Sequence, residues 1–452
     1  MIPVCRWPLL MLLCFAVCPI SAALAADPRT IACDLQACLD LAFANHPRLK
    51  MGEARQAAAR SQFDVRLAER QPSLTLEGET GYLTGNAITP FSAIARITEE
   101  GIDQRRVSGG YYQAMLGLDV PLIKEGTLYG RPSAAVRQAQ LKISEEEWHL
   151  HGLRLQVAMQ VAEAYVQLLK HRKAVQLQMM IVTTLEEGYK LEQSRFQQQL
   201  ISRNELLRAE VRVATAKRDL ALARLNLQKS QHVLATAMGL DQASIIDVQE
   251  VQAPPQPLPP LDSLLTQARR THPELKAGQF EVQGHLEETG RILAERYPTL
   301  TLTTRYGIVD DFDGRLNDQW IAALKVKVPV FDFGLTDRKA EVARARVIEA
   351  EHQLQDLQLG LEQQVRTLYL LLHTLDDQVA LLHTQIAQAT EQMQLNRAMA
   401  QQQLLPPSDV LDAEAASLRL QLALAETEYD RHLARLQLNL ISGTWALQGV
   451  LP

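Results

Sequence analysis

The residue types that could carry chemistry in this chain are its histidines, its cysteines and a few paired carboxylates. His149 and His151 are two positions apart, so on a helix they would point to different sides and could not share one metal ion. The pair Glu145 and Glu147 has the pattern of an ordinary solvated helix face. The sequence contains no glycine-rich phosphate loop, no Cys-x-x-Cys motif and no Gly-x-Ser-x-Gly motif. It therefore supports neither an enzyme nor a cofactor or metal site.

The first 25 residues have the pattern of a secretory signal. Arg6 precedes a short apolar run, and Ala-Leu-Ala at 23–25 has the small-x-small form of a cleavage site. We predict that residues 1–25 are removed, since the apolar run is short for a retained membrane anchor. Of the five cysteines, Cys33 and Cys38 would then remain. In an oxidising compartment these two are either a disulfide or a pair of buried thiols.

Bulk composition narrows the function classes further. The chain has 452 residues, of which 47% are hydrophobic and 22% charged, so it can fold. Lys and Arg total 46 against 52 Asp and Glu, a net charge of −6. Nucleic acid is not an expected partner, because phosphate binding needs a basic surface. Beyond the signal no run of about 18 apolar residues occurs, so no transmembrane helix is expected.

One structural plan occurs twice along the chain. The stretch LAERQPSLTL at 67–76 returns almost unchanged as LAERYPTLTL at 293–302. The strand-to-helix joint LGLDVPLIKEG at 116–126 likewise corresponds to LKVKVPVFDFG at 324–334. We therefore predict two copies of a short helix, two strands and two long helices, joined by a proline-rich linker at 253–260.

The predicted boundaries follow from this duplication. The first copy covers 26–252, with strands at 73–84 and 111–120, a long helix at 133–198 and a helix at 203–238. The second copy covers 261–446, with strands at 299–309 and 319–328, a long helix at 335–404 and a helix at 408–441. A short tail follows at 447–452.

Each predicted strand alternates apolar and polar residues over about ten positions. In the first strand Leu74 and Leu76 share one face, and Thr75 and Glu77 share the other. This pattern is typical of a membrane barrel strand, although a water-soluble sheet with one wet face has it too. The aromatic residues near the loop ends, expected to form a girdle at the membrane surface, are Tyr82, Tyr112, Tyr306 and Trp320.

The long helices favour an elongated molecule. No proline interrupts 133–198, which would extend about 100 Å as one helix. After it, Leu206, Val213 and Leu220 recur every seven residues, a spacing typical of helices that coil around one another. The long helices turn back at matching places: Ser202 and Glu205 form a capping box, and Pro406-Pro407-Ser408 ends one helix and begins another.

Taken together, these features resemble the TolC family of outer membrane efflux proteins. The resemblance rests on the duplicated plan, the VPL and VPVFDFG joints and the SDVLDAE turn, and it covers 34–446. It implies a mainly α fold with a small β part and an internal duplication. In such a fold, three chains together form a periplasmic α-barrel of long antiparallel coiled-coil helices. Each chain also gives four strands to a twelve-stranded transmembrane β-barrel.

The resemblance also implies a function. The protein would be a homotrimeric exit duct of a tripartite efflux or type I secretion system, held in outer membrane lipid and reaching into the periplasm of a Gram-negative bacterium. A periplasmic adaptor and an inner-membrane pump, of the resistance-nodulation-division, ABC or a similar class, would open it. The alternative is a periplasmic or cell-surface coiled-coil stalk without channel activity, which would need no lipid-facing strands.

By the same resemblance, the second turn lies at the periplasmic entrance of the duct. Asp409 and Asp412 would line it as rings of carboxylates, with Glu205 nearby, although Asp409 could instead be a helix N-terminal acid. The chain departs from the family by having Gln199 and Gln403 where glycine is common.

A second departure concerns how the entrance is closed. Leu405 stands where the family often has an arginine, for which Glu205 would be the partner. The turn residues expected to contact the adaptor are Leu200, Ile201, Ser202, Leu404, Leu405 and Ser408.

Overall fold

A computed structural model describes residues 31–85, 107–241, 246–249, 258–310, 316–402 and 404–443. Three predicted segments fall outside these ranges: the signal at 1–25, most of the linker (253–257) and the tail at 447–452. In the described ranges, no helix combines the length and the apolar character that crossing a lipid bilayer requires.

The described residues form seven strands and eight helices that follow the duplicated plan. In chain order they are β1 Ile31–Cys33, α1 Leu35–Asn45, α2 Pro47–Ala68, β2 Ser73–Gly85, β3 Val107–Lys124, β4 Thr127–Leu128, α3 Ala134–Gln197, α4 Arg203–Ala237, β5 Ile246–Val248, α5 Leu261–Thr271, α6 Pro273–Ala294, β6 Thr299–Asp310, β7 Leu316–Lys327, α7 Leu335–Gln401 and α8 Pro407–Ser442.

Two short helices meet longer ones at a histidine followed by proline. α1 ends at Asn45 and α2 begins at Pro47, and His46 between them is extended, with ψ of 124°. The same break separates α5 from α6 at His272 and Pro273. Proline keeps the preceding residue out of the helical region and fits the first position of the next helix. The sequence itself therefore places both breaks at matching points of the two copies.

The long helices lie side by side in a fixed order. Nearer the sheet the order is α2, α3, α6 and α7, and toward the helix turns it is α4, α3, α8 and α7. α3 and α7 run through both parts because they have 64 and 67 residues, a length of about 100 Å each. As a result α3 lies inside the layer, whereas α2 and α4 form one edge and α7 forms the other.

The hydrophobic core follows α3. Tyr165, Leu168 and Ile181 of this helix are almost completely buried. Around the middle of α3, α1 and the parallel pair β1–β5 cover it, and the Tyr165 hydroxyl donates a hydrogen bond to the Gln249 carbonyl at 2.5 Å. The short β1–β5 pair thus ties the start of the first copy to its end.

The four long strands form an antiparallel sheet in the order β2–β3–β6–β7. One row across it joins Thr75, Gly117, Arg305 and Ile321. The short strand β4 pairs with the end of β3. β2 and β7 are the outer strands, and within the described residues their outer edges have no pairing strand.

β3 is longer than the segment 111–120 expected from the sequence, since it runs over Val107–Lys124. The pairing of β3 with β6 shifts register between Pro121 and Ile123. A bulge of this kind accommodates proline, which has no N–H for the ladder. The expected end at Val120 was therefore wrong: the strand continues through Pro121 to Lys124.

Candidate functional site at the helix turns and the sheet

The first turn joins α3 to α4 and contains the expected capping box. The Ser202 hydroxyl accepts a hydrogen bond from the Glu205 amide at 3.3 Å, and the Glu205 carboxylate accepts one from the Ser202 amide at 2.6 Å. These hydrogen bonds from Ser202 lower the pKa of Glu205. Gln199 in this turn has a φ of 59°, a left-handed conformation that glycine adopts most easily. Glu205 therefore caps a helix here, and its place at a pore entrance stays a prediction.

The second turn joins α7 to α8 without a side-chain cap. Pro406 is extended and Pro407 is the first residue of α8, where proline has no N–H in need of a cap and its fixed φ suits the helix. The two turns present apolar tips, because Leu200 is 63% exposed and Leu404 is 66% exposed. Ser202 is also exposed, and the remaining apolar turn residues, Ile201 and Leu405, are half-buried.

Ser408 differs from the other residues expected to contact an adaptor. It is only 7% exposed, so the expectation of a surface role for Ser408 was wrong. The reason is that the first turn of α8 packs against α3, where Gly188 leaves room for the side chain of Leu411. Gln403 lies outside the described residues.

A cluster of charged residues joins three helices close to these turns. Arg212 of α4 makes ion pairs with Asp412 of α8 and, at 3.3 Å, with Glu192 of α3. Asp409, one turn before Asp412, is exposed. One arginine thus faces two carboxylates, and it links α3, α4 and α8 within one chain.

Burial of this cluster shifts the pKa values of its two carboxylates. The pKa of Glu192 is raised, first by burial and further by the Asp412 carboxylate, although the Arg212 guanidinium lowers it. The pKa of Asp412 is also raised by burial and by Asp409, again against the effect of Arg212. A single cation therefore does not fully offset the removal of two carboxylates from water.

Asp412 was expected at the entrance from the sequence, whereas Arg212 and Glu192 were not. The resemblance implied a latching arginine at position 405, where this chain has leucine. The arginine that binds Asp412 comes instead from α4, 200 positions away along the chain. The one available signal was an acidic residue on the otherwise packed face of α3, since Glu192 is among the buried residues of that helix.

The candidate disulfide between Cys33 and Cys38 is absent: both are free and buried thiols, the second of the two alternatives. The thiols contact each other, because a hydrogen bond from Cys38 contributes to the pKa of Cys33. Burial raises the pKa of Cys38 to about 12. Cys33 ends β1 whereas Cys38 lies in α1, and both pack in the hydrophobic core over α3.

One face of the sheet is apolar and exposed. Its residues alternate with polar ones along every long strand, and the opposite face carries an ion pair between Glu77 and Arg305 at 2.6 Å. An exposed apolar face of this extent marks contact with lipid or protein. The large apolar side chains on it are Leu74, Leu76, Leu116, Leu118, Leu302, Ile308, Leu324 and Val326.

The four aromatic residues expected as a girdle all lie on this apolar face. Tyr306 and Trp320 pair directly across β6 and β7. Tyr82 lies nine residues above Ser73, where β2 begins, and Trp320 lies seven residues above Lys327, where β7 ends. Tyr82 and Trp320 are thus at similar distances from the ends of their strands nearest the helices. Their role at a membrane surface stays a prediction.

Comparison with known proteins agrees with this architecture. Residues 38–240 and 264–444 match the family described as "Outer membrane efflux protein". The chain is 23% identical to the cation efflux system protein CusC of Escherichia coli K12 over 419 residues, which cover 88% of this chain and 83% of CusC.

Solved structures share the fold. The CmeC outer membrane channel of Campylobacter jejuni superposes with a TM-score of 0.76 at 15% identity, covering 90% of this chain and 85% of CmeC. The outer membrane protein VceC of Vibrio cholerae gives 0.75 at 19% identity, covering 90% and 96%. The chain therefore belongs to the outer membrane efflux protein family, the TolC-like channels that act as passive conduits, not enzymes, in the outer membrane of Gram-negative bacteria.

Proposed function

We propose that three copies of this chain close into one export duct, which a periplasmic adaptor and an inner-membrane pump open and supply with cargo. The observation that carries this proposal is that, among the described residues, the sheet and the helix layer both end in unpaired edges. The strand edges are β2 and β7, and the helix edges are α2 with α4 on one side and α7 on the other. Both kinds of edge fall on the same two sides of the chain, because α2 leads into β2 and β7 leads into α7.

The strand edges require a partner if the apolar face of the sheet contacts lipid. Backbone N–H and C=O groups cannot stay unpaired in the hydrocarbon region, so a sheet there must close. Four strands are too few to close a barrel around a lumen. Three copies supply twelve strands, the number that the resemblance implied, with β7 of each copy beside β2 of the next.

The helix edges have matching apolar surfaces. Leu370 and Leu381 of α7 are more than 60% exposed. On the opposite edge, Val211 and Leu222 of α4 are more than half exposed. Burying such surfaces against each other contributes about 25 cal/mol per Å² of apolar area. Contact between α7 of one copy and α4 of the next would close the helices into the same ring as the strands.

The exposed turns are where partner proteins would dock. Members of this family work with adaptor and pump partners. The leucines at the two turns, Leu200 and Leu404, support an apolar contact with an adaptor.

Asp409 is a better candidate than Asp412 for a carboxylate ring at the entrance. Asp409 is exposed, whereas Asp412 is half-buried in an ion pair with Arg212. Three exposed carboxylates around a narrow entrance would attract cations. Asp409→Asn should therefore reduce cation selectivity, while Asp412→Asn should act mainly on how firmly the entrance is closed.

Planar bilayers test the duct. Detergent-extracted protein should run as a trimer and give a small, cation-selective conductance, with the Asp409→Asn variant less selective. Trimeric protein that gives no conductance under any condition would contradict the channel. A polypeptide that stays monomeric and dissolves without detergent would instead support the coiled-coil stalk.

A further inference from the structure

The polar face of the sheet separates its charges by strand. Its acidic residues lie on the first two strands, with Glu77 and Glu79 on β2. Its basic residues, except Lys124 at the end of β3 beyond the bulge, lie on the last two, with Arg305 on β6 and Lys325 and Lys327 on β7. One outer strand is therefore acidic and the other outer strand is basic.

Ion pairs and hydrogen bonds within the chain engage only some of these charged residues. Glu77 pairs with Arg305 at 2.6 Å, and Glu79 accepts a hydrogen bond from Gln113 at 2.5 Å. Lys325 and Lys327 are exposed, and no ion pair among the described residues engages either of them. Apart from Lys124, the positive charges of the polar face that no described ion pair engages thus lie at one outer edge of the sheet.

The outer strands β2 and β7 end at different levels near the helices. Ser73, the first residue of β2, is level with Ala323 of β7, through Asp119 and Thr303. β7 continues for four more residues, to Lys327. Thr299, where β6 begins, is level with Lys327, so β6 and β7 end together and β2 begins four residues above them.

Matching the charges of the two outer strands gives the register of the next copy. In that register Ser73 of the partner subunit would lie two residues beyond Lys327, close to Pro329. Counting up four residues on each strand brings Glu77 of the partner subunit opposite Lys325. Lys327 and Glu79 of the partner subunit are then diagonal neighbours of this pair, a distance that long side chains span.

The same side of the sheet carries all four residues. Directly opposed residues share a face, and Glu77 is level with Gln319 of β7 through Met115 and Gly307. Lys325 is six residues from Gln319 and so points to that same polar face. The charges would therefore meet on the side away from lipid.

We infer that Lys325 and Lys327 of one copy form ion pairs with Glu77 and Glu79 of the next copy, across the contact between β7 and β2. This inference rests on the proposed trimer and specifies how its sheets join. It also explains why the copies join head to tail. A two-fold contact between two β2 strands would oppose acid with acid, and one between two β7 strands would oppose base with base.

Cysteine cross-linking tests this register in the full-length protein. In a Cys33→Ser/Cys38→Ser background, Glu77→Cys with Lys325→Cys should give a covalent trimer on oxidation in the outer membrane. Glu77→Cys with Val326→Cys is the matched control, because Val326 is adjacent in sequence but lies on the apolar face. The control should give no cross-linked trimer.

Charge reversal provides an independent readout. Lys325→Glu/Lys327→Glu should lower the temperature at which the trimer dissociates in detergent, and neutral Lys325→Gln/Lys327→Gln should lower it less. Raising the salt concentration should reduce the difference in dissociation temperature between wild type and both variants, because salt screens exposed ion pairs.

The outcomes separate this inference from the proposed trimer. A trimer that persists but neither cross-links through position 325 nor responds to charge reversal would overturn the ion pairs and leave the trimer standing. A protein that is monomeric with wild-type residues would overturn the proposed function itself. Cross-linking of the Val326 control at the same efficiency would overturn the register.

Discussion

The two long helices, α3 and α7, come from the two copies of one plan and have almost the same length, 64 and 67 residues. Their surroundings differ. α3 is packed by α1, α2, α4, α6 and α8, and 23 of its residues are buried. α7 lies at an edge, and 10 of its residues are buried. The two copies thus produced helices of similar length. α3 is enclosed by other helices of the same chain, whereas α7 leaves one face exposed.

Individual leucines show the same difference. Leu168 of α3 is 2% exposed, whereas Leu370 of α7 is 66% exposed. An exposed leucine on a helix edge has no stabilising role inside the monomer, so a second copy of the chain is the natural partner for it. If α7 is the open side of the molecule and α3 the closed one, substitutions on the two helices should have different effects.

The largest effect is expected from charges on the open side. Leu370→Glu/Leu381→Glu should abolish the trimer while the monomer keeps its helical content, because these side chains contact little within the chain. Native mass measurement and circular dichroism on detergent-extracted protein check the two parts. Leu370→Ala/Leu381→Ala, which removes apolar area without adding charge, should weaken the trimer less. Loss of helical content in the Glu variant would show that α7 needs these leucines for its own packing.

A substitution on the closed side should act on the monomer itself. Leu168→Ala should lower the free energy of unfolding by about 2–5 kcal/mol, since it leaves a cavity in a close-packed core. Denaturant titration of the protein in detergent measures this loss. Leu370→Ala in the same assay, under conditions that keep the protein monomeric, should change it by less than about 0.5 kcal/mol. Equal losses would contradict the difference between the two helices.

A smaller effect is expected near the C-terminal end of α3, where ion pairs link it to α4 and α8. Arg212→Gln removes the cation between Glu192 and Asp412 and should loosen the turns by about 1 kcal/mol, since solvent screens part of the interaction. Planar bilayers should show a larger or more frequent conductance. Lys229→Gln, an exposed change on the same helix, is the control and should leave the conductance unchanged. Identical traces from the Arg212 variant and wild type would show that the cluster does not hold the turns closed.

The same cluster should make closure depend on pH. Because the pKa values of Glu192 and Asp412 are raised in the packed state, protons bind that state more tightly. Its stabilisation is present at acidic pH and is lost as pH rises through the raised pKa values. Conductance should therefore increase with pH over that interval, and Glu192→Gln should flatten the dependence. If conductance instead increased toward acidic pH, protonation of Glu192 and Asp412 would not stabilise the closed turns.

The smallest effect is expected at the thiols over the middle of α3. The raised pKa values and burial of Cys33 and Cys38 should keep both unreactive toward iodoacetamide in native protein, although denatured protein should react fully. Mass spectrometry of the alkylated chain measures this. Cys33→Ser/Cys38→Ser should leave the oligomeric state and the conductance unchanged. Rapid alkylation of native protein would place these thiols on the surface instead.

Much of the fold was predictable because its signals are local. Proline after histidine fixed the breaks before α2 and α6, and Ser202 with Glu205 fixed the start of α4. In β2, apolar and polar residues alternate, so a few neighbouring positions are enough to place Leu74 and Leu76 on one face and Glu77 on the other. At Pro121 the local rule failed, since the bulge that keeps β3 in the sheet depends on its partner β6.

The sequence by itself determined the duplicated elements, their order and the two faces of each strand, because backbone preferences and side-chain periodicity act over a few neighbouring residues. Only the tertiary structure decided that Arg212 binds Glu192 and Asp412, that Ser408 is buried and that Cys33 and Cys38 stay free thiols. It also decided that α3 is enclosed while α7 has an open face. These features depend on which distant segments pack together. The spacing of residues along the chain does not determine those contacts or their energies.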